Sequence, residues 1–286
     1  MTRTRVIAAL LMAPLAILAI LLLPTPWMAA LAAVVFLAGL WEWLKLAEVD
    51  DTLHRTILLL LNLLLMVLMV WAAQGSFVLL QIIAVIGVGW WLLALLWLRF
   101  YEFASDHDIH ARAFKIAAGT LATLSAWCAL VLIHGGDQPA QAEPAMGHRW
   151  LLAALAIVWA ADSGAYFAGR RFGGRLFKGR KLAPRISPNK TMEGLLGGVV
   201  AGVATGVGFG WLAGAGAPEL PAVALVAVAT VLFSVVGDLF ESLLKRHVGA
   251  KDSGNVIPGH GGVLDRLDGV LAALPVFLLG KELFGF

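Results

Sequence analysis

Residues 56–98 read TILLLLNLLLMVLMVWAAQGSFVLLQIIAVIGVGWWLLALLWL and contain no charged side chain. A short polar segment at 74–76 divides this stretch into two apolar runs. A run of about 18 or more apolar residues is long enough to cross a bilayer as an α-helix. The stretch therefore predicts two membrane-spanning helices, at 56–73 and 77–98.

Apolar runs of the same kind extend to both sides of this pair. The chain is 60% hydrophobic and has a mean hydropathy of +0.88. Only 14% of its residues are charged, whereas a soluble domain carries about 25%. The spans are predicted at 6–23, 27–48, 56–73, 77–98, 116–134, 150–169, 194–214, 220–244 and 262–284. The sequence thus predicts an all-α, polytopic integral membrane protein of about nine transmembrane helices, the first being a retained span and not a cleaved signal peptide.

Basic residues are unevenly distributed among the segments that join the spans. If the N-terminus is cytoplasmic and the spans alternate, 18 of the 21 lysines and arginines fall on the cytoplasmic side. Because positively charged loops are retained in the cytoplasm, this distribution predicts a cytoplasmic N-terminus and a C-terminus outside. Basic residues confined to loops between spans also argue against a nucleic-acid partner.

The two halves of the chain differ in chemistry. Residues 1–149 are mostly apolar, and we assign them to a scaffold in contact with lipid. Residues 150–286 hold the dense ionisable groups, and we predict a catalytic region there with cytoplasmic loops at 170–193 and 245–261. Apart from Lys190, the basic residues of the loop at 170–193 would face solvent or anionic lipid.

Acidic residues within apolar spans are costly in a membrane, so each needs a partner or a function. Asp162 lies within the sixth span. Two pairs of acids follow: Asp238 and Glu241 near the end of the eighth span, and Asp265 and Asp268 at the start of the ninth. Each pair is three residues apart and shares one helix face. Asp238 is ~10 Å below the helix end at Lys245, at 1.5 Å per residue. Because the ninth span runs back from the same interface, Asp238, Asp265 and Asp268 should lie at a similar depth, just below the cytoplasmic interface.

Carboxylates gathered at one depth repel each other unless cations balance them. Mg²⁺ prefers carboxylate and phosphate oxygens as ligands. Ion pairing with Lys245, Arg246 or Arg266 is the alternative, but it accounts for one acid more easily than for three. We therefore favour a divalent metal site.

The loop between the eighth and ninth spans combines cations with glycines. Lys245, Arg246 and Lys251 suit phosphate oxygens. Gly261 and Gly262 can present backbone N–H groups just before a helix N-terminus, which is a natural site for an anion. His260 lies beside these glycines, and its role stays open.

A second polar element, SPNKTMEG at 187–194, begins the seventh span. Ser187 or Thr191 can cap that helix, and Lys190 can reach a phosphate group. A glycine recurs at every fourth position from Gly194 to Gly214, which allows another helix backbone to approach closely. That neighbour is either a helix of the same chain or, in a homodimer, a helix of a second copy.

Several enzyme classes lack their motifs in this chain. It contains no GxxxxGK[ST] phosphate loop, no G-x-S-x-G elbow and no H-E-x-x-H zinc pair. Its single cysteine, Cys128, excludes a disulfide within the chain and reads as a small buried apolar residue.

From Ser242 to Asp268 the chain reads SLLKRHVGAKDSGNVIPGHGGVLDRLD, which resembles the motif of the phosphatidate cytidylyltransferases, also called CDP-diacylglycerol synthases. The element at 187–194 and Asp162 also resemble that family. The specific similarity covers roughly residues 150–270. It implies an enzyme that transfers CMP from CTP to phosphatidic acid, giving CDP-diacylglycerol and pyrophosphate. It also implies a multi-pass protein of the bacterial inner membrane with its active site facing the cytoplasm.

The resemblance implies a role for each polar residue of these elements. Asp238, Asp265 and Asp268 would hold Mg²⁺, and whether one or two metal ions bind stays open. Lys251 and Asp252 join these aspartates as catalytic candidates, Asp252 as a metal ligand or as the residue that orients Lys251. The predicted substrate-binding residues are Lys190, Thr191, Ser242, Lys245, Arg246, His260, Gly261, Gly262 and Arg266.

Three other functions are compatible with parts of this pattern. A secondary transporter also uses buried acids, but it would place them near the midplane and carry repeats. A CTP-dependent enzyme acting on a different lipid would share the motif. A non-catalytic membrane scaffold agrees least with the density of ionisable residues at 238–268.

Overall fold

A computed structural model describes residues 2–73, 76–136, 145–254 and 261–286 of the chain. Within these ranges the chain is almost entirely helical, and each of the nine predicted spans coincides with a helix. The helices are α1 (Thr2–Leu22), α2 (Thr25–Leu46), α3 (Thr52–Ala72), α4 (Val78–Arg99), α5 (Ile109–Gly135), α6 (Ala145–Phe172), α7 (Met192–Ala213), α8 (Leu220–His247) and α9 (Leu264–Phe284).

The described helices α2 to α8 are each long and apolar enough to cross a membrane. Helix α9 has a comparable length, but its first turns carry Asp265, Arg266 and Asp268. Helix α3 exposes apolar side chains along its length, such as Leu60, Val67 and Trp71. In water such a surface would be unfavourable, whereas lipid is its natural neighbour. The prediction of an all-α polytopic membrane protein is confirmed.

An aromatic cluster joins the N-terminal helices to α8. The Phe240 ring stacks on Trp43 of α2, with ring centroids 5.6 Å apart, and meets Trp90, Trp91 and Trp97 of α4 edge-on. Phe240 is fully buried. Asp238 lies two residues before Phe240 and therefore about 160° away around the helix, so burying the ring against α2 and α4 turns Asp238 away from those helices. The scaffold half therefore sets the rotation of α8.

Glycines allow α7 to pack closely on α6 and α8. A Cβ at Gly198 would lie 2.9 Å from the carbonyl oxygen of Ala161 on α6, and one at Gly210 would lie 2.9 Å from Val223 on α8. The glycine repeat of α7 thus packs within the chain. Of the two neighbours that the sequence left open for this ladder, the described structure contains the intrachain one.

The basic segment before α7 contains a β-hairpin, whereas the sequence predicted only a loop at 170–193. Strand β1 (Lys181–Ala183) pairs with strand β2 (Ser187–Thr191) in antiparallel orientation, and Lys181 lies opposite Thr191. Thr191 then caps α7, because its hydroxyl accepts a hydrogen bond from the Gly194 N–H at 3.0 Å. Because β2 leads directly into α7, the pairing of the two strands fixes the position of Lys190 beside the start of that helix.

Candidate active site

A polar cavity of about 790 Å³ lies where α6, α7, α8, α9 and the hairpin meet. Acids and bases from four of these elements, α6, α8, α9 and strand β2 of the hairpin, face the same space. Its charged lining residues are Asp162, Arg170, Lys190, Asp238, Glu241, Lys245, Asp265, Arg266 and Asp268. The two polar elements that the sequence singled out therefore converge on one cavity.

Asp238 forms an ion pair with Lys190 of the hairpin. Both side chains are partly buried, so this pair is less screened than one on an open surface. The Ser242 hydroxyl lies 3.5 Å from the second Asp238 oxygen, at the limit of a hydrogen bond. This pairing was not among the alternatives considered from sequence, because the lysine comes from a different loop.

Asp265 accepts hydrogen bonds on both of its carboxylate oxygens. One of its oxygens accepts a hydrogen bond from Lys245 Nζ at 2.8 Å. The other accepts from the Gly262 N–H at 2.8 Å and from the Ser253 N–H at 3.3 Å. Lys245 also binds Glu241 of its own helix at 2.7 Å, so one ammonium group bridges two carboxylates.

Asp268 and Asp162 face the cavity from α9 and α6. Asp268 accepts a hydrogen bond from the Gly269 N–H at 2.7 Å. Asp268 comes close to Asp238 because α8 and α9 pack tightly at Gly237, where a Cβ would overlap the Asp268 carbonyl oxygen. Asp162 stands out in the sequence as an acid inside an apolar span and through the family resemblance, but it was not among the predicted site residues.

The remaining predicted residues fall into two groups. Arg266, Thr191, Lys190 and Lys245 line the cavity. Arg246 instead donates from Nε to the Ile186 carbonyl oxygen at 3.1 Å, which fastens the hairpin to α8.

Four further predicted residues belong to the segment between α8 and α9. Lys251 and Asp252 are exposed and do not line the cavity formed by the described residues. Gly261 has a φ of +87°, a backbone conformation that favours glycine. His260 lies outside the described residues.

The donor chemistry of this cavity suits a hard divalent cation. Its carboxylates come from α6, α8 and α9 and supply only oxygen ligands, which Mg²⁺ prefers. Among the residues that the structure describes, no three acidic, histidine or cysteine side chains already form a metal site. Asp238 and Asp265 are bound by lysines instead, so a cation would have to replace an ammonium group at each of them.

The contacts of two buried glutamates were not predicted from sequence, because nothing local marks their partners. One is Glu193, which accepts hydrogen bonds from the N–H groups of Gly174, Leu176 and Phe177 at 3.0–3.2 Å and so holds the basic segment against α7. The other is Glu42 of α2, which contacts the loop before α9.

Comparison with known proteins shows which family the chain belongs to. The model of the cytidylyltransferase family matches residues 3–284, so the chain belongs to the cytidylyltransferase family. The phosphatidate cytidylyltransferase of Pseudomonas aeruginosa is 36% identical over 279 residues, which cover 97% of this chain and 96% of that protein. The phosphatidate cytidylyltransferase of Haemophilus influenzae is 36% identical over 294 residues and covers 97% of each chain. That of Bacillus subtilis is 42% identical over 138 residues, about half of each chain.

Proposed function

We infer that this chain carries the activity named for those relatives. It transfers CMP from CTP to phosphatidic acid and releases pyrophosphate, which makes CDP-diacylglycerol for phospholipid synthesis. The observation that carries this inference is the match of residues 3–284 to the cytidylyltransferase family. In agreement with it, acids and lysines of this chain line one cavity. Both substrates are phosphate esters, and such a cavity can bind their oxygens and balance their charge.

The reaction needs no covalent enzyme intermediate. A phosphate oxygen of phosphatidic acid attacks the α-phosphorus of CTP, and the bond from that phosphorus to the β-phosphate oxygen breaks. Pyrophosphate leaves with the electron pair of the broken bond. Lys190, Lys245 and Arg266 would bind phosphate oxygens, so catalysis would consist of positioning and of neutralising charge.

We propose that Asp238, Asp265 and Asp268 hold Mg²⁺ when the nucleotide binds, with Asp162 close by. The metal would withdraw charge from the phosphate oxygens. With magnesium and nucleotide bound, the acids would gain a cation as partner and the lysines would gain phosphate oxygens. The Lys190–Asp238 and Lys245–Asp265 pairs can therefore be exchanged without leaving a buried charge unpaired, which would be costly.

An apolar cavity supports a lipid as the acceptor. It has a volume of about 500 Å³ and lies between α1, α2, α5, α6 and α9. Asp162, Asp265, Arg266 and Asp268 line both this cavity and the polar one. An amphipathic phosphate could therefore place its headgroup among the charges and its acyl chains along α1 and α2.

The direct test of the function is turnover by the purified protein in detergent with labelled CTP and Mg²⁺. Among a panel of phosphorylated lipids, phosphatidic acid should yield lipid-linked label and pyrophosphate, and chelation of Mg²⁺ should stop the reaction. We also propose that the site faces the cytoplasm of the inner membrane, so external CTP should be used by sealed inside-out vesicles and not by right-side-out ones. Transfer to another lipid only would contradict the proposed substrate, and equal activity of both vesicle types would contradict the proposed orientation.

Filling the apolar cavity should weaken the binding of long-chain substrate. We expect Ala16→Phe to raise the KM for a long-chain phosphatidic acid about tenfold, because a loss of about 1.4 kcal/mol of apolar contact is a factor of ten. The KM for CTP should not change, and a short-chain phosphatidic acid should be affected less. Ala30→Phe is the matched control, since Ala30 is exposed on α2 and does not line this cavity. Equal effects of the two variants would show that the chains bind elsewhere.

A further inference from the structure

A carboxylate of the scaffold half reaches the loop that precedes α9. Glu42 lies on α2 and is only 3% exposed. Its Oε2 atom accepts hydrogen bonds from the Ser253 hydroxyl and from the Leu264 N–H, both at 2.8 Å. These partners lie 211 and 222 residues away along the chain, on either side of the loop.

The Leu264 contact satisfies the first backbone donor of α9. Val263, which precedes that helix, provides no side-chain cap. The first N–H groups of a helix need acceptors from outside the helix, and a negative charge there also interacts favourably with the helix dipole. Glu42 therefore acts as a cap supplied from another helix, directly beside Asp265.

Ser253 links Glu42 to Asp265. Its hydroxyl binds Glu42, while its backbone N–H binds Asp265 Oδ2 at 3.3 Å. Ser253 is almost fully buried, at 2% exposed. The two carboxylates thus hold one residue from opposite sides, and Asp265 is oriented by a loop that Glu42 keeps in place.

The neighbouring glycines are shaped to admit Glu42. A Cβ at Gly254 or at Gly262 would overlap its carboxylate. Gly262 also donates its N–H to Asp265 at 2.8 Å. Both ends of the loop therefore fit closely around the Glu42 carboxylate. Such a fit fixes the position of a buried polar group.

We propose that Glu42 is a positioning residue of the active site: by capping α9 and holding Ser253, it orients the Asp265 carboxylate for the reaction. This proposal rests on the proposed function, since Asp265 acts there on the phosphates. Glu42 lies in the half of the chain for which the sequence predicted only a scaffold and lipid contact. Residues that orient a metal ligand or a catalytic carboxylate typically change activity about 10–100-fold when they are lost.

The test compares kcat, KM and thermal unfolding of variants purified in detergent. Glu42→Ala should lower kcat about 10–100-fold and change the KM for phosphatidic acid little. Glu42→Gln should restore most of the rate, because its amide oxygen can accept both hydrogen bonds. Ser253→Ala removes only the hydroxyl and should lower kcat several-fold, and its effect should not add to that of Glu42→Ala.

Leu44→Ala is the matched control, because Leu44 is a fully buried apolar residue of the same helix. It should lower the unfolding temperature without a comparable loss of kcat. The proposal is overturned if Leu44→Ala, at a similar unfolding temperature, loses as much kcat as Glu42→Ala. If Glu42→Ala does not fold, an unchanged kcat of Ser253→Ala overturns it instead. Failure of the unmodified protein to turn over CTP and phosphatidic acid would contradict the proposed function itself, which separates the two outcomes.

Discussion

Asp265→Asn should lower the rate of CMP transfer at least ~100-fold while the protein still folds and inserts into membranes. Asparagine keeps the shape of the side chain but removes the charge that pairs with Lys245 at 2.8 Å. Its amide group also cannot accept the Ser253 and Gly262 N–H bonds and face Lys245 with an oxygen at the same time. The measurement is formation of labelled CDP-diacylglycerol, with unfolding temperature and elution volume in detergent as checks on the fold.

Asp238→Asn should have a comparable effect, since Asp238 is the partner of Lys190 at the other side of the cavity. Asp106→Asn is the control for both, because Asp106 is an exposed acid in the segment between α4 and α5. Its turnover should equal that of the unmodified protein. Near-normal rates for both purified site variants would remove these aspartates from the mechanism.

Gly237→Ala should both destabilise the protein and abolish its activity. The added Cβ would overlap the Asp268 carbonyl oxygen, which is backbone and cannot rotate away. Helix α8 would have to move from α9, at a cost of about 3 kcal/mol by comparison with other overpacked sites. The same movement separates Asp238 from Asp268, so the rate should fall further than the loss of folded protein explains. Thermal unfolding and turnover of the folded fraction measure the two effects.

Gly208→Ala on α7 is the matched control for this substitution. A Cβ at Gly208 meets no atom within 4 Å. Alanine in a helix is up to about 1 kcal/mol more favourable than glycine, so this variant should be as stable as the parent or slightly more so. Equal unfolding temperatures for the two variants would mean that α8 and α9 are not held at their present distance by Gly237.

Much of the fold was accessible from local sequence patterns. Each predicted span overlaps one helix along most of its length. The reason is that an uninterrupted apolar run must satisfy its backbone hydrogen bonds internally when it crosses a membrane. The cap of α7 is Thr191, one of the two candidates that the sequence offered, and it could be named because an N-cap depends on residues only three positions apart. The family resemblance at 242–268 agreed with the comparisons for the same reason: its residues occupy fixed positions in one short segment.

The partners of the acids were not accessible in this way. The sequence pattern placed Asp238, Asp265 and Asp268 at one depth, and the structure brings all three to the wall of one cavity. It also pairs Asp238 with a lysine from a hairpin that hydropathy did not reveal. Short strands with mixed polarity lack the apolar period from which elements are predicted.

By itself, the amino-acid sequence determined which segments are helices, that these helices belong in a membrane, and where along the chain the ionisable residues are concentrated. Tertiary structure alone decided that α7 packs its glycines on α6 and α8, that Lys190 reaches Asp238, and that Glu42 holds the loop before α9. The physical reason is the range of the interactions. Hydropathy and capping act between residues a few positions apart, whereas these contacts join residues up to 222 positions apart and exist only after the helices have packed.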